Sequence, residues 1–542
     1  MTRTIRNVFA LSLIAPCGVV CAEVPAVTSL FPRGAAVGST TEIAATGKLG
    51  QPGTVAWCSN PGIKVVVPDS GGNVSVEVAA EARPGLCWIR FHNAEGATAP
   101  LPFVLGRLPE VREAEPNNEL SKAQAIDKSL VVNGKLETNG DVDVFAVTLK
   151  KDQTLIAAAE ANWRLGSPVD MVLQIVTHTG KVVAQVDDDR GNDPLVTFTA
   201  PADGVWYVRT FGFPATPNSS IRFSGGATFV YRLTLTTGPL ANHSLPSAVP
   251  RESDATVKLT GWNLSAELQQ PLNPDRDSLC QVMHALLPQP LPVAVVDGAV
   301  AVVQEPCDKS KPLDVETGTT VCGVIEQPHD EDTIRFTATK GQKLVFRVES
   351  RSLGYPLDAE LHVFDGEGNE LAKSDDAQRD VFDPLLKFTP KADGQYSVRI
   401  RDVFRHGGWR YAWRMHVEEL KPGVTLSVKA DRFTLTADKP LEIPVTITRN
   451  NGFAEEFEVA LNELPPGVTA EPVKSAAKGD TSKAVTLKLT VSEPNAFSGP
   501  IQIIGRPANG QAVAATAPLA TLNTTIDQLW LTIPPKKEAE PK

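Results

Sequence analysis

The chain has 542 residues, including 43 prolines and 40 glycines, and a formal net charge of −11 at pH 7. This length indicates several domains, and the many prolines and glycines favour short extended segments over long helices. The acidic balance argues against binding to nucleic acid or to an anionic membrane surface, because both would need neutralising lysines and arginines. It is compatible with calcium or a cationic partner, and equally with plain solubility.

Residues 1–22 have the layout of a secretory signal peptide. Arg3 and Arg6 precede an apolar run at residues 8–15, and small residues at 20–22 suit cleavage before Glu23. We therefore expect the protein to be exported, secreted or periplasmic, and we predict no transmembrane span. Loss of two arginines on cleavage would move the net charge from −11 to −13.

Residues 23–108 alternate apolar and polar side chains in short runs separated by Gly, Pro, Asn and Asp, which predicts a small β-sandwich. The opening stretch 27–34 (Val-Thr-Ser-Leu-Phe-Pro-Arg-Gly) resembles the first strand of the immunoglobulin-like IPT/TIG modules. The expectation for this segment is therefore an immunoglobulin-like domain.

A long pattern then occurs twice, in residues 109–239 and 302–420. Fixed positions of the first copy return at an offset of 188 residues, and the match resumes after a two-residue insertion. The matching positions are Pro168, Asp170, Leu173, Gly180, Asp187 and Asp188 with Pro356, Asp358, Leu361, Gly368, Asp375 and Asp376, and then Asp193, Phe198, Asp203 and Trp206 with Asp383, Phe388, Asp393 and Tyr396. Strand-like runs broken by glycine turns predict a hairpin-rich antiparallel sandwich in each copy, and only residues 120–126 have helical composition.

The remaining segments also have the period of two that is typical of strands. Residues 240–301 contain a second TIG-like strand at 255–264 and a run with three prolines, and we interpret them as a short immunoglobulin-like spacer. Residues 421–533 resemble the immunoglobulin-like module attached to some secreted sugar-cleaving enzymes. The charged, proline-rich tail 534–542 is expected to be disordered. The predicted fold class is all-β, with tandem sandwiches.

An acidic cluster precedes the first strand of the first repeat, and a second acidic stretch follows about 25 residues later. Alternate residues of an extended segment project to one side, so the two stretches could direct several oxygen atoms at one point. Calcium takes six to eight oxygen ligands from carboxylates, Asn side chains and carbonyls. The alternative is that these residues are solvated or cap turns. The carboxylates Asp187, Asp188 and Asp189 form a further acidic candidate.

The motifs Glu-Pro-Asn-Asn, Asp-Val-Asp-Val-Phe, Pro-Val-Asp-x-x-Leu and Ala-Asp-Gly-x-Trp-Tyr-Val resemble the bacterial pre-peptidase C-terminal domain. The resemblance implies a jelly-roll-like sandwich of a kind that is appended to many secreted proteases. Some domains of this family hold calcium between the N-terminal linker and the sandwich. It nominates as calcium ligands Glu113, Glu115, Asn117, Asn118, Asp141 and Asp143. A weaker second site would use Glu305, Asp308, Asp330 and Asp332.

Five cysteines follow the signal segment, and export would allow disulfides. Cys58 and Cys87 each adjoin a tryptophan in strand-like stretches of one domain, which predicts a bridge between them. Cys307 with Cys322 is the preferred second pair, which leaves Cys280 over.

The serine-hydrolase elbow Gly-x-Ser-x-Gly and the zinc motif His-Glu-x-x-His are absent from the sequence. We therefore expect a non-catalytic protein of the cell envelope that binds or scaffolds an extracellular protein or polysaccharide. One alternative is a polysaccharide- or protein-binding accessory to a separately encoded peptidase or glycosidase, for which Trp409, Tyr411 and Trp413 would form an exposed stripe. A hydrolase of unrecognised type is the other.

Overall fold

The computed structural model describes residues 23–535, apart from 51, 70, 218, 220, 221, 266, 267, 273–278, 285, 286, 380, 493–495 and 509. The predicted signal peptide and most of the predicted tail lie outside the described residues. Within the described part the sheets form five successive pairs, each enclosing its own apolar core. The all-β prediction is confirmed. None of the described helices has the length and apolar character needed to cross a lipid bilayer.

The first sandwich packs a four-stranded sheet of order β1-β3-β6-β5 on a sheet of order β2-β9-β7-β4, with β8 paired to β7. Its strands are β1 (Ala26–Phe31), β2 (Gly34–Ala36), β3 (Thr40–Lys48), β4 (Val55–Cys58), β5 (Ile63–Val66), β6 (Val74–Val78), β7 (Gly85–Asn93), β8 (Gly96–Ala97) and β9 (Leu101–Gly106). Strand β6 shows the expected alternation, because Val74, Val76 and Val78 are buried while the residues between them are half-buried.

The first repeat forms two five-stranded sheets of order β10-β12-β19-β14-β17 and β11-β13-β18-β15-β16. Its strands are β10 (Glu110–Arg112), β11 (Gln124–Ile126), β12 (Leu130–Lys135), β13 (Asp143–Leu149), β14 (Thr154–Glu160), β15 (Val169–Val176), β16 (Val182–Val186), β17 (Leu195–Thr199), β18 (Gly204–Pro214) and β19 (Val230–Thr236). A short helix α1 (Asn162–Leu165) follows β14. The predicted helical stretch 120–126 is instead one 3-10 turn at Leu120–Lys122 followed by β11, which pairs in parallel with β13.

The third sandwich is the smallest, with two three-stranded sheets of order β20-β22-β23 and β21-β25-β24. Its strands are β20 (Leu240–Leu245), β21 (Ala248–Pro250), β22 (Ala255–Trp262), β23 (Gln269–Leu272), β24 (Leu279–Val282) and β25 (Leu291–Val296).

The second repeat has the same sheet orders as the first, β26-β28-β35-β30-β33 and β27-β29-β34-β31-β32. Its strands are β26 (Val300–Val302), β27 (Leu313–Asp314), β28 (Thr320–Val324), β29 (Asp332–Ala338), β30 (Leu344–Glu349), β31 (Ala359–Phe364), β32 (Glu370–Ser374), β33 (Leu385–Phe388), β34 (Gly394–Asp402) and β35 (Ala412–Glu419). A 3-10 turn at Arg351–Leu353 stands where α1 stands in the first copy. The two copies therefore share one topology.

The last sandwich has a large mixed sheet of order β40-β42-β38-β36-β45-β44-β39-β41, with β46 paired to β45, and a three-stranded sheet β37-β47-β43. Its strands are β36 (Gly423–Ser427), β37 (Arg432–Thr434), β38 (Leu441–Asn450), β39 (Phe457–Leu461), β40 (Val468–Ala470), β41 (Val473–Ser475), β42 (Ala484–Val491), β43 (Phe497–Ile501), β44 (Ile503–Pro507), β45 (Val513–Leu519), β46 (Thr524–Ile526) and β47 (Leu529–Ile533). Two 3-10 turns lie at Asp480–Ser482 and Ala520–Leu522.

The first and last sandwiches are far apart in the sequence, but they pack against each other. Arg90 on β7 is almost fully buried, and its Nη1 atom contacts Oδ2 of Asp431 at 2.8 Å. The indole of Trp530 on β47 lies against the rings of Trp57 and His92. Burying a guanidinium in this way requires a paired anion, because an unpaired charge would lose its hydration without compensation.

The small third sandwich contacts the sandwiches around it. The backbone amide of Arg107 in the first sandwich donates to the carbonyl of Pro288 at 3.0 Å. Arg164 of the first repeat contacts Gln289 at 2.6 Å, and Arg414 of the second repeat donates to the carbonyl of Ser247 at 2.8 Å. The segment that the sequence suggested as a spacer therefore contacts three of the other four sandwiches.

The predicted disulfides are not formed, since all five described cysteines are free thiols. Cys58 and Cys87 lie on neighbouring strands with their side chains in hydrogen-bond contact. The Cys307–Cys322 pair is wrong for a geometric reason. Cys307 lies in the core of the second repeat, whereas Cys322 alternates with the core residue Val321 and accepts a hydrogen bond from Ser247 of the third sandwich.

We predict that Asp431→Asn lowers the free energy of unfolding by about 3 kcal/mol, because the buried Arg90 charge would lose its partner. Urea denaturation would measure the loss. The control is Lys64→Met, which breaks the exposed Lys64–Glu77 pair and is expected to change the free energy by less than about 1 kcal/mol. Equal effects of the two substitutions would contradict this account of the interface.

Candidate metal centre

The segment that enters the first repeat crosses from one sheet of the sandwich to the other. Strand β10 pairs in parallel with β12 in the first sheet, and β11 pairs in parallel with β13 in the second. Glu113 follows β10 directly, and its amide continues the pairing by donating to the carbonyl of Asn133 at 3.0 Å. Asp143 is the first residue of β13. Side chains from both sheets therefore meet at this edge.

Three predicted ligands converge at this edge: Glu113, Glu115 and Asp143 each offer a carboxylate oxygen, and these oxygens lie within 4.8 Å of one another. Calcium binds oxygen at about 2.4 Å, so two oxygens on opposite sides of one ion are roughly 4.8 Å apart. Glu113 is half-buried, Glu115 is exposed and Asp143 is fully buried. The three carboxylates fit a single hard cation.

Asn117 adds a second observation at the same segment. Its side chain is 0% exposed, yet neither Oδ1 nor Nδ2 has a hydrogen-bond partner among the described residues. Its backbone amide donates to Oε2 of Glu115 at 2.9 Å, which ties it to the cluster. A buried side-chain amide without hydrogen-bond partners costs free energy. A cation bound to the Oδ1 atom of Asn117 would offset this cost.

Tyr231 contacts two of the three carboxylates through its hydroxyl, and the sequence alone did not indicate it. Its hydroxyl lies 2.6 Å from Oδ2 of Asp143 and 3.1 Å from Oε2 of Glu113. Gly134 is its cross-strand partner, and a Cβ there would lie 2.1 Å from the Tyr231 ring. The Asn-Gly sequence on β12 was the available signal, because a glycine inside a strand marks a close approach.

The electrostatics of the cluster favour a bound cation. Burial, followed by the repulsion from Asp143, raises the pKa of Glu113, and burial likewise raises the pKa of Asp143. The pKa of Glu115 is also raised, first by burial. In each case the anionic form is disfavoured because charge is removed from water near like charge. A divalent cation would reverse this effect.

Two of the predicted ligands support the loop instead. Asn118 donates from Nδ2 to Oδ1 of Asp141 at 2.7 Å, and Asp141 accepts from the backbone amides of Glu137 and Val142. Asp141 still contributes to the negative potential, because it raises the pKa of both Asp143 and Glu115. The carboxylate oxygens that converge at this edge are therefore those of Glu113, Glu115 and Asp143, with the side-chain amide of Asn117 on the same segment.

The second repeat keeps the geometry of this edge but not its oxygen donors. Trp413 stands opposite Gly323, as Tyr231 stands opposite Gly134, and its indole Nε1 donates to Oδ2 of Asp332 at 3.2 Å. Glu305 shares a hydrogen bond with Asp332, which shows that these two carboxyl groups remain in contact. The first-copy positions of Glu113 and Asn117 are taken here by Val303 and Cys307, both buried in the core.

The other two residues of the weaker second site cap local turns. Asp308 accepts from the amides of Ser310 and Lys311, and Asp330 accepts from the amides of Glu326 and Glu331. Among the described residues, only the first copy brings three carboxylates together at this edge.

The structure also shows where two other candidate sites from the sequence lie, the acidic run and the aromatic stripe. Asp189 of the acidic run pairs with Arg410 of the second repeat at 2.6 Å, so it serves contact between the repeats. The aromatic residues suggested as a sugar-stacking stripe do not share one exposed face. Trp413 is 1% exposed, Tyr411 packs on the core, and Trp409 lies beside Trp262.

Comparison with known proteins agrees with the duplicated architecture. Residues 141–212 and 330–402 each match the family model described as "Bacterial pre-peptidase C-terminal domain". The chain therefore contains two copies of this domain, one before and one after the third sandwich in the sequence.

A relative described as a probable subtilase-type serine protease of Deinococcus radiodurans is 31% identical over 99 residues. The match covers 17% of this chain and 13% of that protein's length. Among solved structures, the pre-peptidase C-terminal domain of a Bacillus anthracis collagenase is 13% identical, with 20% of this chain and 93% of that chain covered and a TM-score of 0.16. A putative secreted protein from Eubacterium rectale is 10% identical, with 41% and 78% covered and a TM-score of 0.18.

We predict that Gly134→Ala destabilises the protein by about 2 kcal/mol, because the added methyl group would overlap the Tyr231 ring and push its hydroxyl off the carboxylates. The matched control is Gly204→Ala, where a Cβ would meet no atom within 4 Å. Thermal unfolding of both variants would test this. A Gly134→Ala protein as stable as the control would show that the ring is not held as described.

Proposed function

We propose that this protein is an exported, non-catalytic binding or scaffold protein of the cell envelope, whose first pre-peptidase C-terminal domain binds calcium. The convergence of Glu113, Glu115 and Asp143 beside the unpartnered amide of Asn117 carries the calcium assignment. The resemblance to pre-peptidase C-terminal domains that hold calcium at their entry segment supports it.

Calcium would act on the sandwich as a bridge between its two sheets. Glu113 extends the first sheet after β10, and Asp143 begins a strand of the second sheet. An ion bound to both would fix the entry segment to the sandwich and would neutralise carboxylates that now repel each other. The consequence is a stiffer connection between the first sandwich and the first repeat.

The scaffold role is supported by how the domains are joined. Charged side chains are buried between domains that are far apart in sequence, as in the Arg90–Asp431 and Arg410–Asp189 pairs. Such contacts need fixed partners, because each buried guanidinium depends on the carboxylate of the other domain. An assembly held in this way would present its outer surfaces in a constant arrangement, which suits a protein that holds an extracellular protein or polysaccharide.

The alternative function is that of an accessory to a separately encoded secreted peptidase or glycosidase. The likeness to a probable subtilase-type serine protease supports this alternative, since the matching segment there belongs to a protease chain. Calcium binding is compatible with both functions.

We predict that saturating calcium raises the melting temperature of the wild-type protein by about 5 °C or more relative to a chelator. Asp143→Asn should abolish this shift, because it removes a buried ligand. It should not lower the melting temperature in chelator, because it also removes repulsion. Calorimetric titration with calcium, and with magnesium for selectivity, would measure the affinity.

The duplicated domain supplies a matched control, Asp332→Asn. The same substitution at the equivalent strand position of the second repeat removes a carboxylate that Trp413 and Glu305 already contact. It should leave the calcium shift unchanged. Loss of the shift in both variants, or in neither, would argue against the assignment of calcium to the first repeat.

We also expect the purified protein to leave casein and a panel of glycans unhydrolysed, with and without calcium. Pull-down from envelope extract with wild-type, Asp143→Asn and Asp332→Asn protein would then compare what each retains. Release of peptides or sugars above a boiled-protein blank would overturn the non-catalytic proposal. Capture of a secreted peptidase by the wild type would favour the accessory alternative.

A further inference from the structure

A cavity of about 100 Å³ lies where the first repeat, the third sandwich and the second repeat meet. One water molecule needs only about 10–15 Å³ of such a cavity. The cavity is therefore large enough for a small organic molecule. The apolar part of its wall includes Trp163 and Leu195 from the first repeat, Pro288 and Pro290 from the proline run, and Tyr355 from the second repeat.

The polar atoms left without a partner on this wall are donors. Asn242 is 1% exposed, and its Nδ2 atom has no hydrogen-bond partner, while its Oδ1 atom contacts His243. Arg190 is half-buried, and its buried Nε atom has no hydrogen-bond partner. The charges of Asp189 and Glu160 act on its guanidinium, but none of the described residues accepts a hydrogen bond from it. A half-buried guanidinium and a buried amide N–H that lack hydrogen-bond acceptors indicate a site for an anionic group.

The carboxylates near Arg190 are already used by other groups. Glu160 accepts from Arg164, Arg232 and Gln289. Asp193 accepts from the three backbone amides of residues 161–163. Both oxygens of Asp189 accept from Arg410. Asp189 and Glu160 therefore attract Arg190 through their charge without accepting a hydrogen bond from it.

We propose that this cavity is a binding site for a carboxylate, held by Arg190 and Asn242. A carboxylate presents two oxygens in one plane, which a guanidinium and a neighbouring amide can satisfy, and apolar walls suit a short hydrocarbon body. An inorganic oxyanion such as phosphate would place additional charged oxygens against proline and leucine without donors. The carboxylate is that of a free small acid or of an acidic side chain of a bound peptide.

The test is calorimetric titration of the full chain with propionate and with a blocked Gly-Glu-Gly peptide. Phosphate and the neutral isostere propionamide serve as comparison ligands. Saturable binding of either carboxylate, with at least tenfold weaker binding of both comparison ligands, is the expected result. Propionate alone identifies a free acid, and the peptide identifies an acidic side chain. Failure of both carboxylates, or equal binding of phosphate or propionamide, would overturn the proposal.

Two substitutions connect binding to the cavity. Arg190→Met should weaken carboxylate binding at least tenfold without lowering the melting temperature of the ligand-free protein, because it removes a charge that has no hydrogen-bonded partner. Asn242→Leu should weaken binding as well, and it serves if the first variant does not fold. Arg335→Met, at an exposed pair with Asp314, is the control and should bind normally. Unchanged binding in a folded Arg190→Met or Asn242→Leu protein would place the ligand elsewhere.

Discussion

Negative charge held out of water at the entry of the first repeat is the constraint on which the candidate site depends. Asp143 is fully buried at the start of a strand, and Glu113 approaches it from the other sheet. The Tyr231 hydroxyl contacts both carboxylates. Burial raises the pKa of both carboxyl groups, so their anionic forms are disfavoured while no cation is bound. The divalent cation that we propose would supply a positive partner and would join the two sheets at the same point.

The second repeat indicates that the sandwich does not require this charge cluster. It has the same order of strands, and a glycine again faces an aromatic ring, but apolar Val303 and the thiol of Cys307 occupy the core there. The remaining Asp332 accepts from the Trp413 indole through Oδ2 and contacts Glu305, while its buried Oδ1 atom has no hydrogen-bond partner among the described residues. Because one copy folds with only two carboxylates in contact at this edge, the fold itself does not require the three-carboxylate cluster of the other copy.

Contacts between domains turn five sandwiches into one assembly. The third sandwich, although the smallest, touches the first sandwich and both repeats through backbone carbonyls and arginine side chains. Arginine suits such joints because its planar fork can reach several acceptors while its stem packs on apolar surface. Arg190 differs in that no described residue accepts a hydrogen bond from its guanidinium, and it lies on the wall of the cavity.

The sequence by itself determined the all-β class, the duplication and three of the converging carboxylates, because the period of two and repeated motifs are local properties of the chain. It did not find Tyr231, and it did not show that Asn118 and Asp141 hydrogen-bond within the loop, since spacing along the chain does not reveal such contacts. The Cys307–Cys322 pairing failed because one residue faces the core and the other a neighbouring domain. Only the tertiary structure decided these points, because each depends on which strands lie side by side and which face of a strand meets another domain.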